Sequence, residues 1–259
     1  MKGAIIGDII GSVYENHNID TKEFPLFSRW SRFTDDTVMT CATAKALLNP
    51  DHDIVEIFLE LGHKYPNAGY GGKFRKWLFS DNHQPYGSFG NGSAMRVSPV
   101  GLLAKDVDEA KLLSAKVTAI THNHPEGMKG AECTAVCMVL AKLGASKEEI
   151  KKYVEGNYYV LDKTCNEYRK EHVWHGRTTC QISMPQALEC FFESDYYEDC
   201  IRNCISIGGD SDTIAAIAGG IAETYYGIPD TLWNQAKRYL PDDLLCIVEE
   251  FYAAKEKGI

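Results

Sequence analysis

Two short acidic runs limit what this sequence can fold into. They are Thr34-Asp35-Asp36-Thr37 near one end and Gly208-Gly209-Asp210-Ser211-Asp212-Thr213 near the other. Each carries two carboxylates with flanking hydroxyls, on a segment poor in Lys and Arg. Brought together, four carboxylates repel one another, and burying them unpaired costs roughly several kcal/mol each. One or two bound cations relieve that repulsion. An all-oxygen donor set favours a hard ion, Mg, Ca or Mn, over Zn or Cu. The first expectation is a metal-dependent hydrolase whose site draws on both ends of the chain. The plainer alternative makes both runs helix N-caps, where Thr and Asp are favoured. A cap needs one side-chain oxygen, whereas these runs offer several.

A chain of 259 residues with no Ser/Pro/Gly-rich linker and no long charge run is expected to form a single domain over 1–259. No apolar run is long enough to span a bilayer, so no membrane partner is expected. Met1 to Asp8 is briefly apolar but interrupted by Asp8, and lacks the form of a signal peptide. The formal net charge of −9 makes nucleic acid an unlikely partner. Nine cysteines, an odd number without a Cys-x-x-Cys, read as reduced thiols serving as small hydrophobes in a cytoplasmic protein.

Apolar spacing is helical almost throughout. It predicts helices over 37–48, 53–63, 108–119, 126–143, 147–154, 186–192, 197–207, 213–226, 233–240 and 242–255. Strand signals are few and short, so the expected fold class is all-α, a compact orthogonal helical bundle. Two stretches, 80–100 and 158–179, read as long functional loops. Tyr158, Tyr159 and Trp174 in the second either stack on a base or simply pack. His172 and His175 there are expected to face solvent.

Both acidic runs directly precede helices, so the two helix N-termini, each tipped with carboxylates, can face one another. Gly208 and Gly209 would permit a tight approach. Asp8 is a third acid for the same place, or a structural anchor. Gly87-Ser88-Phe89-Gly90-Asn91-Gly92-Ser93-Ala94-Met95-Arg96 interleaves glycine with Ser and Asn. Its backbone N–H groups can cradle phosphates, yet it matches neither a P-loop nor a dinucleotide fingerprint; the alternative is a flexible turn. Arg96 would pair with a diphosphate or with a neighbouring carboxylate. His122, in Thr121-His122-Asn123-His124, would bond a phosphate or ribose, or serve the fold.

Five runs in order resemble the ADP-ribosylglycohydrolase family. They are Gly3 to Ser12 with Glu15, Phe33 to Thr37, Gly90 to Arg96, Ile120 to His122, and Gly208 to Thr213. The resemblance implies an all-α fold and two divalent cations, Mg or Mn, held by Thr34, Asp35, Asp36, Asp210, Asp212 and Thr213. It implies that Ser88, Phe89, Gly90, Asn91, Gly92, Ser93, Met95 and Arg96 bind ADP-ribose, with His122 beside it. The substrate would be an ADP-ribosylated protein, the linkage arginine first and serine second, and the product free ADP-ribose. Water activated at the metals would attack the anomeric carbon while Asp35 or Asp36 accepts its proton. The alternatives are hydrolysis of a free conjugate such as O-acetyl-ADP-ribose, or a silent ADP-ribose-binding protein.

Overall fold

A computed structural model describes residues 1–171 and 178–258, which include no strand and a single isolated bridge between Gly90 and Thr179. The helices are α1 (Lys2–Gly11), α2 (Asp35–Leu48), α3 (Ile54–Lys64), α4 (Gly72–Leu78), α5 (Gly92–Met95), α6 (Ser98–Leu103), α7 (Val107–Thr118), α8 (Pro125–Lys142), α9 (Lys147–Asn157), α10 (Cys165–Glu171), α11 (Cys180–Phe192), α12 (Tyr197–Ser206), α13 (Ser211–Tyr226), α14 (Asp230–Ala236) and α15 (Asp242–Glu256). The all-α expectation holds.

The centre of the fold is the pair α1 and α13, both buried along nearly their whole length. Glycines at i, i+4 and i+8 of α1 make one helix face without side chains. A methyl group added at Gly3 would lie 2.2 Å from the Gly219 carbonyl oxygen, one at Gly7 2.1 Å from that of Ala215, and one at Gly11 2.4 Å from Asp212 Cα. The two backbones therefore touch, and the contact at Gly11 sets the acidic start of α13 against the end of α1. The expectation of a short apolar segment broken at Asp8 gives way here. Met1 to Asp8 belongs mostly to a continuous buried helix, and Asp8 lies inside it.

The remaining helices wrap this pair. Apolar side chains form a large cluster around α1, α2, α11, α12, α13 and α15, and a smaller one between α6, α7 and α8. Ile54, Leu140 and Tyr158 pack against both. Eight cysteines are buried and Cys246 is exposed, all as free thiols.

The two expected loops contain structure. The first holds α5 and the start of α6; the second holds α10. Helix α11 begins at Cys180 and runs through Pro185, which costs one backbone hydrogen bond and explains why spacing alone started it at 186. Tyr158 donates to Glu132 Oε1 at 2.8 Å, and Tyr159 is buried beneath the Lys129 ammonium, so both pack on α8. Trp174, His172 and His175 lie outside the described residues.

Candidate active site

The site begins where α1, α2 and α13 converge. Asp8, in the body of α1, accepts hydrogen bonds from Thr34 N (2.9 Å), Thr34 Oγ1 (2.7 Å), Thr37 N (3.1 Å) and Thr37 Oγ1. These donors include the free N–H groups every helix start leaves unmatched, so Asp8 pins the N-terminus of α2 to α1. With both oxygens occupied, it orients the site as an anchor.

Thr34 caps α2, and Asp35 and Asp36 occupy its first turn, where the helix dipole favours acids. Opposite, α13 starts after Gly208 and Gly209, whose φ angles of 72° and 80° lie in the left-handed region glycine tolerates. Asn18 clamps that turn, accepting from Gly209 N and donating to its carbonyl, both at 3.0 Å.

The two acidic runs meet. Asp36 Oδ2 accepts from Thr213 Oγ1 at 3.2 Å and lies 3.4 Å from Thr34 Oγ1, while Asp36 Oδ1 is buried without a partner. Asp210 Oδ2 accepts from Asn91 Nδ2 at 2.6 Å, and the same amide donates to Ser183 Oγ at 2.8 Å. Two groups of three carboxylates, Asp8/Asp36/Asp212 and Glu15/Asp210/Asp212, each bring one oxygen per residue within 4.8 Å of the others. Asp212 belongs to both.

Among the described residues no Lys or Arg is ion-paired with these acids. Burial pushes the carboxyls of Asp8 and Asp210 up to about 6 and that of Asp35 up to about 8, where the charges of Asp8 and Asp210 add to the effect. Asp36 and Asp212 are raised well above the usual carboxylate range, by burial first and neighbouring acids second. An orphaned buried oxygen, an all-oxygen donor set and uncompensated like charges fit a hard divalent cation.

Glu15, Asp35, Asp36, Asp210 and Asp212 form the floor of a cavity of about 430 Å³. Its opposite wall is the glycine-rich segment. Asn91 N donates to Thr178 O (3.0 Å) and Cys180 N to Phe89 O (3.1 Å), holding the segment against the start of α11. Of the expected binding residues, Ser88, Phe89, Gly90, Asn91, Gly92, Met95, Arg96 and His122 line the cavity, as do all six expected ligands. Ser93 turns away, its hydroxyl donating to Gly127 O at 2.7 Å. Arg96 pairs with no carboxylate among the described residues. Its buried guanidinium lies over the Phe58 ring, 4.8 Å from its centroid, and donates to Thr121 Oγ1 at 2.9 Å.

The sequence pattern assigned no role to Glu15, which joins the second acid group, or to Arg32, Gly69, Lys73, Tyr86 and Thr179 on the cavity wall. Glu15 was discoverable, since it stands just beyond the first of the five family-like runs. Gly69 and Lys73 bound a second short glycine-rich run, Gly69-Tyr70-Gly71-Gly72-Lys73, which was the available signal; Arg32 and Thr179 carried none.

Buried paired acids at two helix N-termini, opening on a polar cavity in an all-helical frame, are the equipment of a hydrolase. A model of the ADP-ribosylglycohydrolase family matches residues 1–258, and the chain belongs to that family of enzymes. It is 26% identical to human ADP-ribosylhydrolase ARH3, over 95% of this chain and 90% of that protein. It is 29% identical to the ADP-ribosyl-[dinitrogen reductase] glycohydrolase of Rhodospirillum rubrum, over 77% of this chain and 70% of that one. A solved ADP-ribosylglycohydrolase-related protein complex contains a chain of the same fold, with a TM-score of 0.71 and 22% identity, covering 98% of this chain and 95% of that chain. No described helix is long and apolar enough to cross a membrane.

Proposed function

We propose that this enzyme removes ADP-ribose from an arginine side chain of a modified protein, at a site that holds two divalent cations, Mg or Mn. The observation that carries the reading is the pair of carboxylate groups sharing Asp212, with Asp36 Oδ1 left unsatisfied beside them. Thr34, Asp35, Asp36, Asp210, Asp212 and Thr213 would be the ligands, with Glu15 added on the Asp210 side. When bound, such ions lower the pKa of a coordinated water and stabilise charge on oxygen.

The residues of the chain divide the remaining work. Asn91 fixes Asp210 and spans from the floor to the wall. The backbone of Ser88 to Gly92 offers N–H groups to a diphosphate. Asp35 lines the cavity and stands outside both carboxylate groups, its Oδ1 close against Gly69 on the cavity wall. It is therefore the first-cluster acid best placed to accept a proton from water attacking the anomeric carbon. Arginine is placed before serine as the linkage. In the same direction, a similar Pseudomonas putida protein is named an ADP-ribosylarginine hydrolase, at 26% identity over 65% of this chain and 47% of that one. We treat 1–259 as one domain, because three side chains bridge its two apolar clusters.

The test is release of ADP-ribose from arginine-linked and serine-linked ADP-ribosylated peptides, with Mg or Mn and again with EDTA. Metal-dependent release from the arginine peptide supports the proposal. Release from the serine peptide alone overturns the linkage. Release only from O-acetyl-ADP-ribose, or binding without turnover, overturns the protein-directed activity.

A further inference from the structure

We infer that Thr121 is a positioning residue which, backed by Arg96, locks His122 as the Nε2–H tautomer, so that the ring offers a fixed N–H donor to an anionic group in the cavity. The inference deepens the functional reading, on which it depends for the identity of the anion, there a phosphate of ADP-ribose.

Three buried groups stand in line. Arg96 donates from one terminal nitrogen to Thr121 Oγ1 at 2.9 Å, and Thr121 Oγ1 lies 2.8 Å from His122 Nδ1. A guanidinium has no acceptor site, so the single hydroxyl hydrogen of Thr121 cannot point at Arg96. Its only other partner among the described residues is Nδ1, which must then be the acceptor, leaving the ring hydrogen on Nε2. The opposite tautomer would aim two donors at one hydroxyl oxygen and strand the hydroxyl hydrogen in a fully buried place, losing a hydrogen bond where none can be replaced by water.

The second observation is where Nε2 points. It has no partner among the described residues, and His122 lines the cavity. Gly90 and Gly92 face it, and methyl groups there would lie 3.7 and 3.4 Å from Nε2, within the space a ligand oxygen would take. The third is charge. Arg96 is 1% exposed and has no carboxylate partner among the described residues. A buried cation without a counter-ion is costly, and the relay carries its polarisation to a ring that lines the same cavity as Arg96. Burial, with Arg96 behind it, holds the His122 imidazolium well below its usual range, so the ring donates as a neutral group.

Nitrogen-15 NMR of the histidine rings, with His122 assigned by its loss in His122→Gln, reads the tautomer in the ligand-free protein. Calorimetry with ADP-ribose reads affinity. The wild type is expected to show Nε2–H. Thr121→Val, matched in shape, is expected to lose the single tautomer and to bind ADP-ribose about tenfold more weakly, whereas Thr121→Ser keeps both properties. An Nδ1–H ring in the wild type overturns the inference even if Thr121→Val fails to fold. So does unchanged tautomer and affinity in Thr121→Val. Wild-type protein that shows Nε2–H but no affinity for ADP-ribose would strike the functional reading and leave the tautomer assignment standing.

Discussion

The floor and the wall of the cavity face each other across a short gap, yet their polar groups are satisfied in opposite ways. On the floor, Asp36, Asp210 and Asp212 are buried with few donors, no ion pair and raised pKa values. The wall is held by its own backbone against the start of α11, and behind it a neutral imidazole and a buried guanidinium are linked through Thr121. One side lacks positive charge and the other lacks negative charge. A substrate with a diphosphate at one end, together with cations at the other, completes both. Asp8 and Asn18 hold the two acidic helix starts in place, and Asp36 Oδ1 is left without a partner between them.

The sharpest way to break the contrast is to remove one floor charge. Asp36→Asn is expected to lower turnover by about a hundredfold to a thousandfold, measured as ADP-ribose release, while the metal-free protein melts no lower than wild type because repulsion is relieved. Preserved turnover would remove Asp36 from the mechanism. A structural change comes next in size. Gly7→Ala puts a methyl group against the Ala215 carbonyl oxygen, and overpacking of that kind costs about 3 kcal/mol. Chemical denaturation should show the loss. An unchanged midpoint would mean that α1 and α13 need not touch for the floor to form.

A smaller effect follows from the raised carboxyls. A group whose folded-state pKa is raised contributes stability that is lost as pH climbs from its unfolded value through its folded one. For Asp35 the loss runs up to about 8, and for Asp36 and Asp212 it extends further upward. In EDTA, the melting temperature should therefore fall from about pH 7.5 to about pH 8.5, a window above the ordinary titration of His. The Met1 ammonium, held below its usual value by burial, opposes this as a single group. Adding Mg should flatten the decline, since the ion competes with protons for the same oxygens. A melting temperature that rises over this window in EDTA would contradict the electrostatic account of the floor.

Much of this arrangement was legible before any fold was known, and the limits are instructive. The helices after both acidic runs are rich in small and apolar residues, and Thr34 caps the first, so α2 and α13 and their acids were readable. Helix α1 was not, because Asp8 inside an apolar run looks like an interruption until the donors of Thr34 and Thr37 are brought to it from 26 and 29 residues away. The Gly3, Gly7, Gly11 spacing was the available clue. Helix α4 opens on Gly72 and forms through the burial of Phe74, Trp77 and Leu78, a tertiary gain that overrides weak local propensity. The directions of Ser93 and Arg96 depend on Gly127 and Thr121, which no local pattern connects to the glycine-rich segment.

The central claim is that the floor is built for two cations. Calorimetric titration of Mn into EDTA-stripped protein, with Asp36→Asn in parallel, tests it most directly. Uptake of two ions by the wild type, with at least one lost in Asp36→Asn, is the predicted result. A wild type that takes up no ion, while still releasing ADP-ribose in EDTA, would contradict it.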